Sequence, residues 1–297
     1  MEIKKVGVIG AGLMGSGIAQ VCAQAGFQVT LRDLEERFLQ SGFDAIRKSL
    51  QRFAKAGKIK PEEVDGIINR IKGTMDLQDA MKDVDLIIEA VPEEMELKKK
   101  VFADIDGLCP PHTILASNTS ALMITDIASA TKRPEKVIGM HWFNPPPMMK
   151  LIEVVRGAIT SDETTDTVKK FSVNLGKEPV VVNDGPGFFI TRYTILQQVD
   201  AIKFLESGVA NIPDMDKMVK LGFGWPMGVF EVIDFVGLDT MLHILEYLHR
   251  EIGDPRYAPP LTLKKLVKSG YLGRKPGSKG GFYEYFMAGE KAKKGDG

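Results

Sequence analysis

Glu153 lies inside a short apolar run, Leu151-Ile152-Glu153-Val154-Val155. A carboxylate in such a place costs several kcal/mol to bury unless it is paired or takes up a proton. A nearby histidine resolves the conflict. The carboxylate would hold one ring nitrogen, fix the tautomer and raise the basicity of the other, which is the arrangement of a general base. Of the histidines His112, His141, His243 and His249, His141 is best placed, because His141-Trp142-Phe143-Asn144-Pro145 directly follows the apolar run 137–140. A second polar set, Ala116-Ser117-Asn118-Thr119-Ser120, closes the run 113–116. Ligands of open parallel sheets bind beyond the carboxyl ends of strands, so both sets fall on the edge where a ligand would sit. The spacing also permits a plainer arrangement, with Glu153 on the exposed face of an edge strand and His141 satisfied in a core. The four histidines show no metal-ligand spacing.

Gly10-Ala11-Gly12-Leu13-Met14-Gly15 fits G-x-G-x-x-G between an apolar run and a helical pattern, the context that gives the glycines meaning. Gly10 permits a tight turn, Gly12 lets the backbone approach a pyrophosphate, and Gly15 lets helix and strand pack closely. The pyrophosphate then sits at a helix N-terminus, where free N–H groups and the dipole favour an anion. Eighteen residues past Gly15, the second strand ends in Arg32-Asp33. Asp33 can accept from the adenosine ribose hydroxyls and would repel a 2′-phosphate, which favours NAD over NADP. Arg32 points to the opposite face and does not offset it. FAD shares the fingerprint and is the rival cofactor.

The elements that must position these residues are legible as alternating runs. Strands are expected at 6–9, 29–31, 86–90, 113–116, 137–140, 151–155 and 180–182, several of them continuously apolar as in strands covered on both faces. Helices are expected at 14–25, 35–56 and 97–108. This alternation predicts an α/β Rossmann-type doubly wound, mostly parallel sheet over residues 1–183. The pattern changes at Asp184-Gly185-Pro186-Gly187, where Pro186 can open a helix. Beyond it, Phe189, Tyr193, Leu196, Ile202 and Leu205 form a loose helical stripe that stops at Gly208, and Asp239 can cap a helix that ends near Gly253. Residues 184–297 are therefore expected to form an all-α C-terminal domain, with a disordered tail at 291–297.

Bulk composition excludes several classes. Lys+Arg and Asp+Glu both number 39, and a neutral chain is poorly suited to neutralising many phosphates, so nucleic acid is not the expected partner. Cys22 and Cys109 match no metal spacing and read as small buried apolar residues. No apolar run approaches the roughly 20 residues that cross a bilayer, and a strand begins at once after MEIKK, so no membrane partner and a cytoplasmic protein are expected.

Together, VGVIGAGLMGSGIAQ, IIEAVPEEMELKKKVF, ASNTSAL, HWFNPPPMMKLIEVV, DGPGFF and LGRKPGSKGGFYEY run nearly the whole length. On these motifs the chain resembles the short-chain L-3-hydroxyacyl-CoA dehydrogenases, including bacterial 3-hydroxybutyryl-CoA dehydrogenases. The resemblance implies His141 as catalytic base, Glu153 as its partner and Ser120 as the hydroxyl that meets the reacting oxygen. It implies cofactor contacts at Asp33, Glu93, Lys98 and Asn144 beside Gly10, Gly12 and Gly15. Ser49 would meet CoA, and Arg52 and Lys55, close by, are expected to reach its phosphates. The C-terminal domain would form a homodimer and close over an acyl-CoA substrate. One position departs: Thr191-Arg192 stands where the family typically has Asn-Arg, which leaves full activity at issue. Two other functions remain open, an NAD-dependent dehydrogenase of a non-CoA hydroxy acid such as gulonate, and a non-catalytic dinucleotide-binding protein.

Overall fold

The computed structural model describes residues 2–287, so the tail at 291–297 lies outside the described residues. Two compact units divide between Phe188 and Phe189. In the first, β1 (Lys5–Ile9), β2 (Gln28–Arg32), β3 (Ile71–Thr74), β4 (Leu86–Glu89), β5 (Ile114–Ser117), β6 (Val137–Trp142), β7 (Leu151–Arg156) and β8 (Glu178–Asn183) form one sheet. Their order is β3-β2-β1-β4-β5-β6-β7-β8. Neighbours from β3 through to β6 are parallel, β7 runs antiparallel to β6, and β8 is parallel to β7. This is a doubly wound, mostly parallel sheet whose strand order reverses between β1 and β4, the switch point at which such sheets bind ligands.

Every residue of β4, β5 and β6 is buried, because helices cover both faces. The link between β6 and β7, residues 143–150, is shorter than the dozen or more that a parallel crossover needs, so β7 must return antiparallel. That return sets His141 opposite Glu153. β8 lies outside β7, so Glu153 is not on an edge strand. The edge strand is β8 itself, where Val180 and Val181 are exposed although the run is continuously apolar. At the other edge, β3 escaped the sequence reading because Ile71 is its only buried residue and Gly73 interrupts it. It forms by pairing with β2, and Gly73 is close enough to Phe43 that a Cβ would lie 2.8 Å from the ring.

The second unit contains the helices Ile190–Glu206, Ile212–Phe223, Val229–Val236, Leu238–Ile252 and Leu261–Lys268. Its first helix starts at Ile190 rather than at Pro186, because Gly187 and Phe188 take φ of 73° and 48°, which no helix accommodates. The buried face of that helix is Ile195, Val199, Ala201 and Ile202, while Phe189 and Tyr193 stack on each other in the open. The helix Leu238–Ile252 begins one residue before Asp239, entered through Gly237 at φ 106°, and Asp239 pairs with Lys275 instead of capping. It ends at Gly253 in the left-handed region, as C-terminal glycines commonly do. No helix among the described residues is long and apolar enough to cross a membrane.

Candidate active site

β1 runs straight into the glycine turn. Gly10 holds φ 99° against Ala90, where a Cβ would lie 2.7 Å from the carbonyl oxygen. At Gly15 a Cβ would come within 1.7 Å of the Gly10 carbonyl oxygen, so the helix Leu13–Gln24 can start this close to β1 only with glycine there. Gly12 differs, since a Cβ on it would meet nothing within 4 Å. It is the N-cap of a helix with no side-chain cap and no acidic residue in its first turn, which leaves the N–H groups and positive dipole end for an anion. Asp33, just past β2, accepts the Ala11 N–H at 2.6 Å and the Leu34 N–H at 2.7 Å, so it braces the loop whose ligand it would also contact. Arg32 turns away and donates to the Met75 carbonyl. These residues fit a dinucleotide.

A buried network lies beneath the neighbouring strand ends. Lys98 is almost wholly enclosed, with Nζ 2.7 Å from Glu89 Oε1, 3.4 Å from Glu93 Oε2 and donating to the Val91 carbonyl at 3.2 Å. Burial alone would lower its pKa, but the Glu89 and Glu93 carboxylates more than offset this, and the ammonium is held above the ordinary lysine value. Glu89 also accepts from Ser117 Oγ at 2.6 Å. Glu93 accepts from Thr119 Oγ1, the Ser120 N–H and the Ala121 N–H at 2.6, 2.8 and 3.0 Å. Two of the expected cofactor residues thus fix the Ser120 loop. Glu89, Ser117 and Thr119 carry this network but were given no role from sequence; the signal was there, in an acid ending the apolar run Leu86-Ile87-Ile88-Glu89.

One strand further on, His141 and Glu153 are brought into contact, Nδ1 to Oε2 at 2.7 Å, with 5% and 2% of each residue exposed. A carboxylate at Nδ1 places the ring proton there and leaves Nε2 as the acceptor. The ring packs against Phe143 and Phe188, with centroids 4.4 and 6.0 Å away. Asn118 Oδ1 accepts the Trp142 N–H at 3.0 Å, so the loop carrying Ser120 is tied to the end of β6.

The loop after β6 carries Asn144 and turns toward the helix Glu36–Lys55, where Ser49, Arg52, Phe53, Ala56, Lys58, Pro145, Pro147 and Met148 line a pocket. Ser49, Arg52, Phe53 and Ala56 are spaced i, i+3, i+4, i+7 and share a face. Lys55 lies on another side of the helix and is not part of this lining. The basic residue that joins Arg52 is Lys58, past the turn at Gly57, with Nζ 5.0 Å from the centre of the Phe53 ring and 3.6 Å from Met148 Sδ.

Two family models span the chain: 3-hydroxyacyl-CoA dehydrogenase, NAD binding domain, over residues 5–185, and the C-terminal domain of the same enzyme over 187–285. The chain belongs to the 3-hydroxyacyl-CoA dehydrogenase family. It is 47% identical over 285 residues to a probable 3-hydroxybutyryl-CoA dehydrogenase of Bacillus subtilis, covering 96% of this chain and 98% of that one. Its fold is similar to that of Mycobacterium tuberculosis FadB2, with a TM-score of 0.91 at 40% identity and coverage of 95% and 99%. (S)-3-hydroxybutyryl-CoA dehydrogenase PaaH1 of Ralstonia eutropha gives a TM-score of 0.88 at 40% identity, with the same coverage. This 3-hydroxyacyl-CoA dehydrogenase therefore takes NAD as its cofactor, in keeping with the open glycine turn and the acid after β2. In its second unit, Thr191 lies in the first turn of the helix Ile190–Glu206, and its carbonyl lies 3.5 Å from Thr194 Oγ1.

Proposed function

We propose that this dehydrogenase interconverts 3-hydroxybutyryl-CoA and acetoacetyl-CoA, in the (S)-3-hydroxyacyl series, within fatty-acid or butyrate metabolism. The His141–Glu153 pair carries the reading, because it supplies a base of fixed tautomer near the carboxyl end of β6, on the same sheet edge as the dinucleotide turn. His141 Nε2 takes the proton of the 3-hydroxyl. Glu153, hydrogen-bonded at Nδ1, offsets the positive charge that the imidazole then acquires. Ser120, on a loop braced by Glu93, donates to the same substrate oxygen and keeps it aimed at His141. NAD, when bound, would supply the hydride acceptor for C3. The turn Gly10–Gly12–Gly15 and Asp33 hold that cofactor, with Asn144 completing its site, while Glu93 and Lys98 act by fixing the Ser120 loop. General-base assistance of this type contributes about 10²–10⁴-fold, and alignment of the reacting carbons supplies much of the remainder.

Ser49, Arg52 and Lys58 supply a hydroxyl and two cations beside Phe53 and Met148, a lining suited to the adenine and phosphates of CoA. Thr191 offers a hydroxyl where the family has an amide, and the turnover of the wild-type chain gauges that exchange. In the second unit, Phe204, Val209, Met218 and Phe223 are all more than half exposed around one apolar groove, which supports a homodimer through this unit.

The direct test mixes the protein with acetoacetyl-CoA and NADH, with NADPH in parallel, and follows nicotinamide absorbance. Rapid loss of NADH and much slower loss of NADPH is expected. Binding of NADH with no turnover on acyl-CoA thioesters would reject the assignment. Turnover of free hydroxy acids with no competition from CoA would move it to the non-CoA dehydrogenases.

A further inference from the structure

Lys177 sits between the helix Asp162–Asn174 and β8, with 8% of its surface exposed. Its Nζ donates to the carbonyl oxygens of Pro146 and Met149 at 2.6 and 2.7 Å, and faces the Trp142 ring at 5.8 Å from its centre. Among the described residues its hydrogen-bond partners are these backbone carbonyls rather than carboxylates. Burial pulls its pKa below the ordinary lysine value, and Cys22, from the helix Leu13–Gln24, is the titratable group that faces it. A cation without a counter-charge is an expensive occupant of an apolar face, where a methionine would fill the same space without desolvating a charge. The sheet itself does not need it, since Glu178 N–H already joins the Lys150 carbonyl at 2.9 Å.

The two carbonyls that Lys177 engages belong to the loop 144–149. The same loop is also seated by shape. Pro146 rests on Gly17 of the helix Leu13–Gln24, where a Cβ would lie 2.9 Å from the proline Cγ and Cδ. Charge and shape thus pin the two ends of Pro146-Pro147-Met148-Met149, and the residues between and before them line the pocket against Ser49, Arg52 and Lys58.

We propose that Lys177 is a positioning residue for the CoA moiety: its buried ammonium clamps the loop 144–149 so that Pro145, Pro147 and Met148 form a fixed wall of the nucleotide pocket. This rests on assigning that pocket to CoA. The clamp grips Pro146 and Met149, beyond the cofactor residue Asn144, and His141 and Glu153 are held independently by the β6–β7 ladder, so it acts on the part of the substrate remote from the chemistry.

Lys177→Met keeps the apolar stem and removes the donors. Its KM for acetoacetyl-CoA is expected to rise about tenfold while kcat stays within about threefold, the signature of lost uniform binding. Acetoacetyl-N-acetylcysteamine, which lacks the nucleotide, should show no change in KM. Gly17→Ala, which pushes on Pro146 without touching the charge, should give the same split and serves if Lys177→Met does not fold. An unchanged KM for acetoacetyl-CoA in the folded variants overturns the proposal, as does an equal loss on both thioesters. Arg52→Ala, run alongside, separates the two assignments. If it raises KM and Lys177→Met does not, the clamp is rejected and the CoA pocket stands; if neither responds, both fall.

Discussion

His141 and Glu153 are direct partners across the antiparallel β6–β7 pair, with Nδ1 and Oε2 2.7 Å apart and both side chains withdrawn from water. The carboxylate of Glu153 therefore acts directly on the imidazole, out of reach of water. Glu153→Gln keeps an acceptor for Nδ1–H but removes that charge. Its kcat should fall by roughly 10²-fold, with NADH affinity within about twofold of wild type. His141→Gln should lose about 10²–10⁴-fold. Steady-state kinetics and an NADH fluorescence titration check both, and wild-type turnover in either variant would remove the pair from the mechanism.

Cofactor choice should follow Asp33. Its carboxylate accepts the Ala11 N–H and would repel a 2′-phosphate. Asp33→Asn is expected to shift the NADH-to-NADPH ratio of kcat/KM toward NADPH by about tenfold, equivalent to about 1.4 kcal/mol. An unaltered ratio would mean that something else excludes the phosphate.

Gly12 and Gly15 should fail in different ways. A Cβ at Gly15 collides with the Gly10 carbonyl, whereas one at Gly12 meets open space. Gly15→Ala should destabilise the fold by about 1–3 kcal/mol or more, the usual range for overpacking. Gly12→Ala should unfold as the wild type does yet bind NADH far more weakly. Thermal melts with and without NADH distinguish the two, and similar melts for both variants would contradict the geometry.

Lys98→Met strips the counter-charge from Glu89 and Glu93 and should cost about 3–5 kcal/mol, as breaking a buried pair does. The pH dependence has a definite sign. The folded Lys98 holds its proton above the ordinary value of 10.5, so its contribution is complete below that pH and is lost as the pH climbs through the folded value. Urea unfolding should therefore show wild-type stability declining in that alkaline range more steeply than in Lys98→Met. Parallel profiles would argue that the ammonium is not favourably paired.

Association should depend on the apolar groove of the second unit, where Val209 and Phe223 are 66% and 73% exposed. Light scattering coupled to size-exclusion chromatography is expected to give a dimer for the wild type and a monomer for Phe223→Glu. A monomeric wild type would leave that surface without a partner copy.

Much of the β-sheet was legible because buried parallel strands leave short apolar runs, and β1, β4, β5 and β6 are of this kind. β3 left no such trace: a strand with one buried residue, made by its partner's hydrogen bonds, is not a hydrophobic pattern. The start at Pro186 was misread for a related reason, since the left-handed turn at Gly187 and Phe188 is held by the Gly187 N–H on the Ala121 carbonyl, a contact remote in the chain.

The sequence by itself determined the glycine turn with its acid, the two-unit organisation, and the family, because these rest on local spacing and residue type. It also raised the question of Glu153, a charge in an apolar run, without answering it. Only the tertiary structure decided that β8 covers the outer side of β7 and that a short loop folds Glu153 back onto His141. The turning of Lys98 and Glu93 inward, the place of Lys58 beside Arg52, and the clamp of Lys177 on the proline loop were likewise decided there. Each of these depends on which side chain meets which in three dimensions, and a one-dimensional pattern records burial and turning but not the partner.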